Sequence, residues 1–191
     1  MSFIRRLLGL ERHAQRIHMT DWKDDGVIGL SGISGAPTKP TTMTVDRARW
    51  RRVGDSMDVV MEWYAANTSG SNDGGGDHLW QIPGGFYGDT DKYTVYTADE
   101  GYGDWYPNGA SMLGSFYAVT SGGSGQHVVG PVIPYDNSYV RLLGTLNDHG
   151  NLNRLGAIGA GNGWGVTYFS RIGLKFTIPI EGWTSTTKFR G

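Results

Sequence analysis

The sequence predicts an all-β protein: an antiparallel β-sandwich or jelly-roll-like domain, preceded by a short N-terminal helix and an extended arm. Three observations carry this expectation. Glycine supplies 31 of the 191 residues, where average usage gives roughly 13, and the glycines follow no period of three. Aromatic residues make up 12 % of the chain, and many stand beside β-branched residues, a composition suited to pleated strands separated by tight turns. Helical spacing of apolar residues appears before residue 19 and not after it.

The first element is "MSFIRRLLGLERHAQRIHM", residues 1–19. Phe3, Leu7, Leu10, Ala14 and Ile17 are spaced 4, 3, 4 and 3 apart and form one stripe of a helix, with the basic residues mostly on other faces. Gly9 weakens that helix by about 1 kcal/mol relative to alanine. A helix this short is marginal alone, so its stripe has to dock. Its own domain, a neighbouring subunit and a host scaffold all stay open, and the basic face also allows a membrane surface. These five residues are the candidate partner-binding set. Residues 20–46 read as an arm: "GLSGISGAPTKPTT" (29–42) is rich in Gly, Ser, Pro and Thr, and Pro37 and Pro40 exclude a helix there. The predicted division is an anchor over 1–46 and a β-domain over 47–191.

Strands follow. "WRRVGDSMDVVMEWYAA" (50–66) gives a short strand, a turn at Gly54–Asp55 and a longer strand in which Val59, Met61 and Trp63 alternate with Asp58, Val60, Glu62 and Tyr64. "NTSGSNDGGGD" (67–77) is a polar loop, and "HLWQIPGGF" (78–86) a brief strand stopped by Pro83 and a glycine pair. Further strands are expected at 93–97, 112–120, 126–133, 139–146 and 165–178. In the last, Phe176, Ile178 and Ile180 share a face that Trp183 caps. Two packed antiparallel sheets are the economical solution, and a closed barrel is the alternative.

Composition narrows function. A net charge of −1 argues against a nucleic-acid binder that works by charge. Cysteine is absent, which excludes disulfides and thiolate metal sites and fits assembly in a reducing cytosol. Arg5, Arg6, Glu11, Arg12 and Arg16 interrupt any signal-like run near the N-terminus. No apolar stretch approaches the roughly 20 residues that span a bilayer. A soluble protein that is not exported is expected.

Candidate chemistry is sparse. His13, His18, His78, His127 and His149 lack zinc-helix spacing. "GAGNGWG" (159–165) has glycines at alternate positions, unlike a dinucleotide fingerprint between strand and helix. "NDGGGD" (72–77) lacks the ligand spacing of a calcium loop. No G-x-S-x-G elbow is present, and Ser121 in "SGGSG" does not make one. The expectation is therefore no enzyme, no catalytic residue, no cofactor and no metal. "DEGYGDWYPNG" (99–109) places Tyr102, Trp105 and Tyr106 in a loop of Gly, Asp, Asn and Pro. Such aromatics either stack on a sugar or a protein, or fold back to plug the end of the domain.

Two segments resemble a known module. "RARWRRVGDSMDVVMEWY" (47–64) leads through a Gly/Ser/Asn loop into "LWQIPGGF" (79–86), and "SRIGLKFTIPIEGW" (170–183) closes the chain's last strand. This order resembles a module of tailed-bacteriophage virion proteins, with its W-x-R-x-G-D strand-turn-strand and a closing V-P-I-x-G-W-like strand. The resemblance covers roughly residues 47–183. It implies a structural β-sandwich that packs as a trimer on capsid exteriors or tail appendages, and it carries no catalytic residue. The chain has no fibre shaft ahead of the module, which points to a capsid decoration (cement) protein on the outer shell, assembled in the host cytoplasm. The implied partners are the major capsid protein and further copies of itself as a homotrimer, with neither nucleic acid nor membrane. The alternative is the receptor- or glycan-binding tip of a tail or head fibre, whose partner is a host-surface glycan.

Overall fold

The computed structural model describes residues 19–95, 110–121, 127–146, 154–159 and 165–185. The predicted helix, with Phe3, Leu7, Leu10, Ala14 and Ile17, lies outside the described residues, as does the loop of Tyr102, Trp105 and Tyr106. Among the described residues the regular structure is all-β. Its ten strands are β1 (Lys23–Gly26), β2 (Leu30–Gly32), β3 (Met43–Val53), β4 (Ser56–Ala65), β5 (His78–Gln81), β6 (Gly114–Thr120), β7 (His127–Pro134), β8 (Tyr139–Leu146), β9 (Arg154–Ala157) and β10 (Phe169–Pro179). Single 3-10 turns stand at Pro83–Gly85 and Val166–Tyr168. No helix among the described residues is long and apolar enough to cross a membrane.

Every strand pairing is antiparallel, in the order β1-β3-β4-β10-β6-β7-β8-β5-β2. The β3–β4 hairpin follows from local chemistry. Val53 pairs with Ser56 across a two-residue turn, and Gly54 takes a φ of 65° there. Glycine meets that left-handed geometry without steric cost. In β4 the alternation holds: Met57, Val59, Met61, Trp63 and Ala65 are buried while the residues between them face outward.

The same face of every long strand feeds one core. Trp63 of β4 and Trp80 of β5 lie with ring centroids 6.2 Å apart, although five strand-to-strand steps separate β4 from β5 in the sheet order. At about 4.8 Å per step, a flat sheet would hold them roughly 24 Å apart. The sheet therefore curls until its two halves face each other. Phe169, Phe176 and Ile178 from β10 fill the space between, and each fully buried side chain of this kind contributes about 1.5–3 kcal/mol.

The described part of the arm is woven into this sheet. β1 pairs with β3, β2 pairs with β5, and Ile28 between them is 1 % exposed. Lys39 clamps the turn by donating to the Ile28 carbonyl and to the Asp46 carboxylate, the latter at 2.6 Å. The boundary drawn at residue 46 runs inside β3, which begins at Met43. Isolated bridges Gly35–Gly75 and Thr38–Asn72 zip the next stretch of arm onto the polar loop.

Other elements shift from expectation. The 78–86 segment is a strand only to Gln81, because Pro83 and the positive-φ Gly84 and Gly85 turn the chain. Residues 93–95 form no strand, and β9 was not anticipated. β9 shares one edge of β8 with β5: β5 pairs along 139–141 and β9 along 143–146.

Candidate functional site

The outer face of β4, β10, β6 and β7 is dented. Gly173 on β10 and Ser115 on β6 present little or no side chain there, and the backbone of Gly114 on β6 and Gly130 on β7 lies beside them. The dent is a groove of about 840 Å³, within the range of ligand sites. Its walls are mainly apolar: Val60, Met112, Tyr117, Val129 and Pro131 line it, and Glu62 and Lys175 stand among them. Met112, Val129 and Tyr117 are 75 %, 58 % and 47 % exposed, so no described residue covers this apolar surface.

Backbone contact requires Gly114, where a Cβ would lie 2.1 Å from the Lys175 carbonyl oxygen, and Gly130, whereas Gly173 faces a side chain. A Cβ at Gly173 would lie 2.3 Å from the Tyr117 ring, which sits over that position. A Cβ at Gly130 would come 1.8 Å from the Leu143 carbonyl oxygen, which is backbone and cannot yield cheaply. A second depression of about 260 Å³ adjoins the groove and is lined by Val45, Tyr64 and Arg171. Glu62 and Tyr117 border both depressions.

Charges around this face are unevenly matched. Arg49 donates to Glu62 at 2.9 Å, Arg51 to Asp58 at 2.9 Å and Arg47 to Asp24 at 2.7 Å, a ladder that ties β3 to β4 and β1. Asp58 also accepts from the Thr177 hydroxyl at 2.7 Å. Among the described residues neither Lys175 nor Arg171 forms an ion pair. Arg171 lies over the Tyr64 ring at 4.9 Å.

Two other clusters serve packing. Asp73, in the polar loop, accepts from the Thr167 amide at 2.8 Å and its hydroxyl at 2.6 Å. The Asp73 carbonyl lies 2.8 Å from His78 Nε2. A carbonyl oxygen only accepts, so Nε2 carries the hydrogen and Nδ1 is bare. His78 is fully buried, and desolvation pushes its imidazole below the ordinary value, outweighing the Asp73 carbonyl and the Asp73 and Asp77 carboxylates. Asp77 pairs with Arg141 at 2.9 Å. Among the described residues no group of three His, Asp or Glu side chains is arranged to hold a metal. At the other end, Trp50, Phe86 and Trp183 form an aromatic triad, with Phe86 edge-on to both indoles at 5.0 and 5.1 Å.

Among the sequence-expected site residues, Phe3, Leu7, Leu10, Ala14 and Ile17 and Tyr102, Trp105 and Tyr106 stay outside the described set. Sequence reasoning missed the groove. Its signal was present in doubled apolar pairs, Val128–Val129 on β7 and Phe116–Tyr117 on β6, where one-sided burial calls for alternation. Compared with known proteins, the chain matches no family model, no curated protein and no solved structure.

Proposed function

We propose that this chain is a bacteriophage virion structural protein, a capsid decoration protein that binds coat subunits on the outer shell. It works by adhesion and catalyses no reaction. The observation that carries the reading is the apolar groove on the outer sheet face, which no described residue covers. Surfaces of this kind on a folded domain mark protein contact. The W-x-R-x-G-D segment (50–55) ends β3 and makes the turn into β4, and the I-P-I-x-G-W segment (178–183) leaves the end of β10; β4 and β10 both line that groove. In this reading the two halves of the curled sheet are the layers of a sandwich or jelly roll. Three copies gather around a threefold axis, and residues 1–18 grip neighbouring coat subunits as a second anchor.

The test is co-sedimentation of the purified protein with undecorated expanded capsids, followed by heating. The protein should pellet with the shells and raise their disruption temperature, and Val129→Asp should abolish both effects. A protein that stays in the supernatant removes this function.

A second reading, a glycan-binding fibre tip, is favoured by one feature: the exposed rings of Tyr64 and Tyr117 border the smaller depression together with Arg171 and Glu62. Aromatic faces beside polar groups suit sugar stacking. Under this reading Tyr64→Ala, Trp105→Ala and Tyr106→Ala abolish adsorption to host cells and Val129→Asp does not.

A further inference from the structure

We propose that the groove takes an extended, acidic segment of a partner protein whose apolar side chains fill the floor while its carboxylates meet Lys175 and Arg171. This rests on the reading of the groove as a protein-docking face and adds the chemistry of what docks.

Two observations give that chemistry. The first is charge. Of the charged residues along the joined depressions, Glu62 is already paired with Arg49. Lys175 and Arg171 form no ion pair among the described residues. Among the described residues the face therefore offers two cations without an ion-pair partner beside apolar surface. A cationic partner would meet like charge, and a purely apolar one would bury the Lys175 ammonium without a counter-charge, which is costly.

The second observation is shape. The two depressions run across the strands from Val129 and Pro131 on β7 to Val45 on β3, joined at Glu62 and Tyr117. Four strand spacings of about 4.8 Å make a path of roughly 19 Å, the reach of about six extended residues. A path this long, walled by Met112, Val129 and Tyr117, fits a stretch of polypeptide better than a compact small molecule.

The probe is a set of three fluorescein-labelled octapeptides with Leu, Val and Trp at alternate positions and Glu, Gln or Lys between them. Binding is read by fluorescence anisotropy on the full chain. The Glu peptide should bind about tenfold more tightly than the Gln peptide, as two exposed ion pairs allow, and the Lys peptide should bind least. The double variant Lys175→Glu, Arg171→Glu should invert this order. Both side chains are exposed on the sheet, and an unchanged circular dichroism spectrum confirms the fold of the variant. Val129→Asp should weaken all three peptides.

Equal affinity for the three peptides overturns the proposal, as does an acid preference that survives the double variant, or no binding of the Glu peptide. A stable oligomer dissociated by Val129→Asp but not by the charge reversal, with no peptide bound, places a second copy in the groove and also overturns it. Capsid co-sedimentation separates this inference from the parent reading. If shells bind the protein while no peptide preference appears, only the partner chemistry fails. If the preference holds while shells are not bound, the decoration role fails and the docking chemistry stands.

Discussion

Replacing Trp183 with alanine should cost the fold about 3 kcal/mol. The residue follows β10, past the turn at Gly182, and packs against the core beside Trp50 and Phe86. Its ring meets Phe86 edge-on at 5.1 Å and Trp50 at 6.2 Å, and such pairs are each worth about 0.5–1.5 kcal/mol. The Arg52 guanidinium lies over it at 4.8 Å, adding about 0.5–1 kcal/mol. Arg52 also donates to the Gly54 carbonyl at 2.8 Å and the Thr184 carbonyl at 3.1 Å, so the indole and the β3–β4 turn hold each other. For a chain of this size the loss corresponds to a midpoint about 6–12 °C lower. Thermal and urea unfolding of Trp183→Ala, Phe86→Leu and the double variant would measure it, with a coupling of about 1 kcal/mol between the two sites. A single-variant loss under about 1 kcal/mol, or no coupling, refutes the view that the triad latches this end of the sheet.

Other perturbations should be equally readable. Asp73→Ala removes both bonds to Thr167 and should destabilise by about 2–4 kcal/mol in chemical denaturation, and Thr167→Val should cost less because the amide bond survives. The pKa of His78 is depressed in the fold, so the unfolded chain takes up its proton first. The stability held above the ordinary value near 6.5 falls as pH drops through and below it, and His78→Gln should flatten that acid limb of a stability-against-pH curve. Tyr93 is pushed the other way, up to about 12, by burial first and then by the Asp136 and Asp89 carboxylates. Its stabilisation is present below pH 10 and lost as pH rises toward 12, and ultraviolet titration should find one tyrosine ionising late. Gly88→Ala should cost about 2 kcal/mol and restore that tyrosine to ordinary titration, since a Cβ there would lie 2.1 Å from the Tyr93 hydroxyl.

The parts legible in the sequence are those where burial is one-sided. β4 and β10 alternate because one face meets the core and the other meets charge, and the Gly54 turn announces their hairpin neighbour β3. β8 is predicted at its observed bounds. β1 was not legible, because "KDDG" is exposed at every position and its register comes from β3. Ile28 looked like an arm residue because a single buried side chain among Gly, Ser and Pro has no period to reveal it. The groove was hidden for a related reason. Glycine in a strand usually signals a turn or bulge, and only pairing places Gly173 beneath the Tyr117 ring. The aromatic end of the chain was readable as a cap, but its partners Trp50 and Phe86 are set by tertiary folding alone.

The position of β10 has a consequence for biogenesis. It follows every other described strand in the chain, yet it is the middle rung between β4 and β6. Until a ribosome has delivered it, Met57, Val59 and Met61 have no neighbour on that side, and β4 and β6 lack the strand that joins them. The hairpin of β3 and β4 is free to form early, but the cooperative step awaits β10, and closure over so long a loop is slow. Nascent chains thus carry an open, apolar rung until β10 emerges. A rearranged gene that moved this strand next to β4 would relieve the wait and yield more native protein per chain made.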